Sequence, residues 1–466
     1  MKKVNLFLGA FALASVLIFT GCEKEDDVIM QPTQNIVQVA QSEPSLSILV
    51  SALSKFPDLA ATLSGTSQFT VFAPTNDAFT ALLGVIGQTN LNDIPESVLK
   101  TVLQYHVVTS GAVLSTQLMA GNVTTAGSEA IAVTTSGGIR LNGTTKVVKA
   151  DIQTSNGVVH VIDQVLVPPT VARFVNTVVE PAYFNKNFST LVAAVTAASP
   201  SILETLLNST KKTLFAPTND AFAAAGITSL PPRATLDAVL AYHVLGSEVK
   251  AAQLPAAAAP ANSAITTLGG VFYLSNRGSN GVFINGTSKV TVTDIMADNG
   301  VVHVIDRTLL PPSQTIGQIA TALSTASSGK EFTQLVAALT RVPALLNAAV
   351  SSTANLTVFA PTDAAFNELY KALGVTGVND IDLPTLTAVL QHHIISAPTT
   401  ATGRVFSRDL VTGNVPALSG SLNINAGSGT VTSGKGVVAN ISSNAALVNV
   451  LGTNGVVHTI NKVLLP

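Results

Sequence analysis

Hydrophobic and polar positions follow two different periods along this chain, and the switch from one to the other recurs. Leu99, Val102, Leu103 and His106 fall at i, i+3, i+4 and i+7, the spacing of one helical face. Val158-Val159-His160-Val161-Ile162 is β-branched and apolar on both alternations, which predicts a strand buried on both faces. Asn156-Gly157 in front of it is a turn signal. Phe72-Ala73-Pro74-Thr75 reads as the end of a short strand, with Thr75 capping the helix that follows. Thr218 and Thr362 take the same place, with Asn or Asp beside them to suit a helix N-terminus. Each unit is therefore expected to be helical in its first half and rich in strands in its second.

These phrases occur three times in the same order, which makes the repeat the main organising feature. Residues 70–79 return as 213–222 and as 357–366. Residues 102–106 return as 239–243 and 389–393, and residues 156–163 as 299–306 and 454–461. Each copy closes on an apolar phrase: Val165-Leu166-Val167-Pro168-Pro169, Leu309-Leu310-Pro311-Pro312 and Leu464-Leu465-Pro466. The next copy begins at once, and consecutive prolines are stiff and extended, so a semi-rigid rod is expected. The division is domains at 35–168, 169–312 and 313–466, after a leader at 1–21 and an acidic tether at 22–34. Residues 255–264 and the Gly/Ser-rich residues 427–436 are expected to be loops.

The N-terminus carries its own signal. Lys2 and Lys3 precede an apolar stretch over residues 4–19, and Phe19-Thr20-Gly21-Cys22 follows, the form of a secretory leader. Cys22 is the only cysteine, so no intramolecular disulfide can form. A lone cysteine there resembles the bacterial lipobox, with Phe19 where Leu is usual; it implies that Cys22 is the acylated lipid anchor. Glu23, Glu25, Asp26 and Asp27 resemble the acidic export signal of some surface lipoproteins. An ordinary signal peptide and a solvated tether stay open as alternatives. The expectation is a lipid-anchored, surface-exposed protein of the bacterial outer membrane. No later segment has the apolar length of a membrane span.

Together the repeated phrases resemble the fasciclin domain. Its first signature matches residues 70–79 and their repeats, and its second matches 156–163 and their repeats. A Tyr-His pair stands between them at Tyr105-His106 and Tyr242-His243, and an Asp-Ile element precedes the second signature at Asp151-Ile152 and Asp294-Ile295. The resemblance implies an α+β fold, three tandem β-wedges with packed helices, and a role in adhesion. It also marks Tyr105, His106, Asp151, Ile152, Tyr242, His243, Asp294 and Ile295 as candidate binding residues. The third copy departs, with His392-His393 for Tyr-His, Asn440-Ile441 for Asp-Ile and Asn461 for the closing Asp. Binding is therefore expected in the first two copies.

Composition excludes more than it adds. The formal charge is −2, 11% of residues are charged and there is no long basic run, so no nucleic-acid partner is expected. All seven histidines fall within the repeated phrases. His160 and Asp163, three apart on a strand, point to opposite faces and form no pair. No nucleophile elbow or phosphate loop is present. No catalytic residue, metal or cofactor is expected, and the partners are the membrane, through the lipid, and an extracellular protein or polysaccharide. Two competitors remain. Glycan capture for nutrient uptake is opposed by zero Trp and only five Tyr. A hydrolase would need His106 and His160 within hydrogen-bond reach beside an open cleft.

Overall fold

The computed structural model describes residues 32–256, 259–395, 403–444 and 446–466. The leader, Cys22 and most of the expected tether lie outside the described residues. In the first copy Asn35 opens α1 (Ile36–Ser42) through a capping box with Gln38, and α2 (Ser47–Leu53) and α3 (Pro57–Ser64) follow. Strand β1 (Phe69–Pro74) is buried throughout, and the Thr75 hydroxyl then accepts the Ala78 N–H at 3.2 Å to start α4 (Asn76–Val85). Next comes α5 (Glu96–Tyr105), then β2 (Val107–Val108), β3 (Gly121–Thr124), β4 (Ala130–Thr134), β5 (Arg140–Leu141), β6 (Thr145–Thr154) and β7 (Gly157–Ile162).

These strands form one sheet in the order β2-β1-β7-β6-β5-β4-β3. At its centre β1 and β7 run parallel, paired from Phe69↔Gly157 to Pro74↔Ile162. This pair is covered on both sides, as its unbroken apolar sequence requires. Val71, Val159 and Val161 meet the helices, while Phe72 and Ile162 point into a second core with Tyr105, Ile131 and Leu141, between the two halves of the sheet. Bulges between Val147 and Ile152 bend β6, the strand on which the sheet folds into a wedge.

Asn156 ties this sheet to the helices. Its buried side chain accepts the Ile36 N–H at 2.9 Å and donates to the carbonyls of Leu63 and Gly65 at 2.8 and 2.9 Å. Asn299 and Asn454 repeat the arrangement on Val178 and Ile316. Gly157 beside it has φ +151°, and a Cβ there would stand 2.1 Å from the Phe69 carbonyl oxygen. The turn read from Asn-Gly is thus also a buried clamp.

The second copy repeats the sheet as β8 (Lys212–Pro217), β9 (Val244–Leu245), β10 (Ser263–Thr267), β11 (Gly270–Asn276), β12 (Val282–Ile284), β13 (Ser288–Ala297) and β14 (Gly300–Ile305), with β14 parallel to β8. In the third copy the parallel pair is β15 (Leu356–Pro361) and β21 (Gly455–Ile460), with β16 (Gly413–Pro416), β17 (Ser421–Asn425) and β18 (Thr430–Thr432) between them in sequence. The long bent strand is broken there into β19 (Val438–Asn440) and β20 (Val450–Gly452), which leaves sheets of three and four strands. The fold is α+β in all three copies. Of the two expected loops, 427–436 contains β18, a short apolar alternation hidden among small residues, whereas β10 begins only at Ser263, the end of 255–264. No single helix among the described residues is long and apolar enough to cross a membrane.

The first joint is not the extended proline spacer expected. Pro169 opens a short helix, Pro169–Ala172, and the chain beyond it packs back: Val171 and Phe184 belong to the first copy's helical core. Thr170 donates through its hydroxyl to Glu129 at 2.6 Å, and Lys186 reaches the Asn92 carbonyl at 3.0 Å. The second and third copies meet through a buried interface. Tyr273, Phe406 and Val456 form its apolar part. Asp409, fully buried, accepts from Asn262 at 2.8 Å, Ser275 at 2.6 Å and Arg277 at 2.6 Å. Stiffness at that joint comes from contact between domains.

Candidate functional site

The Tyr-His pairs end the α5 helix and its counterpart Arg233–Tyr242, and both side chains turn inward. Tyr105 is 1% exposed; its hydroxyl donates to the Ala130 carbonyl at 2.8 Å and accepts from Asn142 at 3.1 Å. Tyr242 does the same with Val271 at 2.9 Å and Asn285 at 3.3 Å. His106 donates from Nδ1 to the Val102 carbonyl at 2.7 Å, and its Nε2 accepts the Leu166 N–H at 2.9 Å. The ring thereby fastens the helix end to the apolar phrase that closes the domain. His243 repeats this between Val239 and Leu309, and His393 between Val389 and Leu464. His392, in the tyrosine position, hydrogen-bonds the Ser419 carbonyl.

The strand histidines use the opposite tautomer. His160 donates from Nε2 to the Val113 carbonyl at 3.0 Å and accepts the Asp151 N–H on Nδ1 at 3.3 Å. His303 stands between Val249 and Asp294, and His458 between Val405 and Asn449, in the same way. The residue whose N–H they receive has a left-handed backbone each time, φ +60° at Asp151, +61° at Asp294 and +55° at Asn449. Asp and Asn tolerate that conformation better than most residues. Each side chain then accepts a backbone N–H from a facing loop: Ser115 at 2.6 Å, Ala251 at 2.8 Å and Ser407 at 2.7 Å.

This geometry corrects the sequence alignment of the third copy. The counterpart of Asp151 and Asp294 is Asn449, nine residues before the strand histidine as they are. Asn440 corresponds instead to Lys146 and Lys289. Its N–H goes to Asn461 Oδ1 at 2.7 Å, as theirs go to Asp163 and Asp306, both at 2.7 Å. An amide oxygen accepts that bond as well as a carboxylate does, so Asn461 keeps the role. The shift arises because nine residues separate Asn440 from Asn449, where five separate Lys146 from Asp151.

Burial disfavours the charged form of five of these imidazoles. Desolvation lowers His106, His243, His393 and His458 to about 4, against the backbone bonds that raise them. His160 is lowered chiefly by the same cause. The ring nitrogens of His106 and His160 are all bonded to backbone atoms of other residues, which removes the hydrogen-bonded histidine pair that the hydrolase reading required. Of the eight candidate binding residues, Tyr105, His106, Tyr242 and His243 lie inside the fold. Asp294 is exposed, and Asp151, Ile152 and Ile295 are half-buried. Ile295 borders a cleft between the first and second copies, which nothing in the repeat pattern announced.

A wedge-and-helix domain built three times from the same clamps defines a class of tandem-domain protein. Comparison with known proteins identifies the class: the Fasciclin domain model matches residues 44–168, 186–311 and 330–466, and the chain belongs to that family. The protein sll1483 of Synechocystis sp. is 43% identical over 136 residues, 29% of this chain and 73% of that one. Transforming growth factor-beta-induced protein ig-h3 of Oryctolagus cuniculus is 30% identical over 318 residues, 66% of this chain and 43% of that protein. Periostin of Homo sapiens is 24% identical across 95% of this chain and 48% of its own length. The chain thus spans less than half of these two animal relatives. A solved pair of such domains, from the insect cell adhesion molecule Fasciclin I, aligns at 18% identity over 60% of this chain and 97% of that one, with a TM-score of 0.28.

Proposed function

We propose that this is a surface adhesion protein, held to the bacterial outer membrane by a lipid on Cys22, whose fasciclin domains bind an extracellular protein or polysaccharide. The observation that carries this reading is the threefold family match over most of the chain, since fasciclin domains are typically adhesion and extracellular binding modules. The burial of the Tyr-His pairs moves the contact surface elsewhere: the conserved-looking phrases hold the scaffold, and recognition falls to exposed loops and strand faces. Three copies raise avidity, because a second weak contact becomes intramolecular once the first has formed.

Deletion of single copies, followed by attachment of cells to matrix-coated and polysaccharide-coated surfaces, tests the binding role. Attachment is expected to fall with each copy removed, and attachment that survives loss of all three ends the reading. For the anchor, Cys22→Ser is expected to abolish metabolic labelling with an alkynyl fatty acid and to release the protein from membranes. Undiminished labelling would remove the lipid from the account.

A further inference from the structure

The cleft between the first and second copies encloses about 650 Å³, within the range of small-molecule sites. Val85 and Gln88, at the end of α4, form one wall. Glu180 and Asn185 form a second, and Val292, Ile295 and Met296 on β13 a third. Val85, Val292 and Met296 are 62, 48 and 50% exposed, so three large apolar side chains face water around one opening. Isolated exposed apolar residues need no explanation; convergence on a concavity does.

The first copy shows what this face looks like when closed. There Lys149 pairs with Glu43 at 2.7 Å across the corresponding mouth. The strand register equates Lys149 with Val292, opposite Val161 and Val304, and Gln153 with Met296, opposite Val158 and Val301. The helical clamps Ile48–Asn76 and Thr190–Asn219 fix the other side and equate Glu43 with Asn185. The second copy therefore has neither end of the ion pair that the first copy carries there, and has apolar side chains in their neighbourhood. Glu180 is the only ionisable side chain lining the cleft among the described residues. Its carboxylate accepts the Asn176 N–H; burial, with Asp298 nearby adding to it, pushes its pKa up against the pull of that bond.

We infer that this cleft is a binding site for a small amphiphile with an apolar body and a cationic, amine-type head. The body packs on Val85, Val292, Ile295 and Met296, and the head takes the place beside Glu180, where no Lys or Arg of the described cleft lining supplies positive charge. The site is independent of the adhesion reading and calls for no change in it.

Isothermal titration of the soluble chain with decyltrimethylammonium and with decyl sulfate, both below micelle formation, tests this. The cation is expected to bind at one site, with the sulfate weaker by about tenfold or more. Asn185→Glu with Val292→Lys restores the first copy's ion pair and is expected to weaken the cation by about tenfold, with the thermal melt unchanged. Met296→Gln, the first copy's residue, gives a smaller loss and serves if the double variant fails to fold. Glu180→Gln is expected to erase the preference for the cation. Absence of cation binding, sulfate binding as tight as the cation's, or variants that bind like the native chain would each overturn the proposal.

Discussion

The buried histidines make the fold sensitive to acid in a definite direction. An unfolded imidazole takes up a proton near pH 6.5, whereas His106, His243, His393 and His458 resist until about 4. Acid therefore favours the unfolded chain. The contribution of these groups is complete above about pH 6.5 and is lost as pH falls through 4, with about 2 kcal/mol per histidine gone at pH 5. Urea midpoints are expected to drop between pH 7 and pH 5; equal midpoints would refute the neutral, buried assignment. His106→Ala is expected to cost about 3 kcal/mol, because the Leu166 N–H loses its acceptor inside the core. Denaturation of a first-copy fragment against the same fragment carrying the change measures it, provided the fragment itself melts cooperatively.

At the scale of elements, the parallel strand pair and its Asn-Gly entry hold each domain together. Gly157→Ala would place a methyl 2.1 Å from the Phe69 oxygen at φ +151° and is expected to destabilise the first copy by about 3 kcal/mol or more. A calorimetric trace with the first copy's transition unmoved would contradict that. Much of this architecture was legible in the sequence. The run apolar on both alternations gave the buried strand, Thr75 the helix start, and the triple recurrence the domain plan. The family resemblance supplied the wedge. What stayed hidden was the roles of the motif side chains. His106 falls on the apolar helical face with Leu99 and Leu103, but the resemblance marked it and Tyr105 as binding candidates, and backbone partners 25 and 60 residues away are encoded by no local pattern. The third copy's insertion had the same effect: it put Asn440 opposite Asp151 by spacing, when the hydrogen bonds put Asn449 there.

At the scale of the whole molecule the two joints are unequal. The second contains a fully buried carboxylate, Asp409, paired with Arg277, whose side chain is 11% exposed. Removing one member of such a pair leaves the other uncompensated, a cost of about 3–5 kcal/mol. Asp409→Ala is therefore expected to separate the melting of the second and third copies, which should unfold together in the native chain. Scanning calorimetry reads the number of transitions, and independent melting of the two copies in the native protein would show the interface to be weak. The first joint, with its short helix, its exposed hydrogen bonds from Thr170 and Lys186 and its open cleft, has no comparable buried charge network among the described residues.

Under the proposed anchoring and adhesion, in which one end is held and the other gripped, that inequality has a mechanical consequence. Load passes through both joints in series, so the weaker yields first. The first copy would swing or part from the rest while the second and third still move as one body. A chain pulled between its two ends in an optical trap is expected to lengthen by a small step at low force, before any domain unravels, and then by larger ones. Filling the cleft should raise the force of that first step. The array would then act as a compliant leash ending in a stiff, two-domain grip.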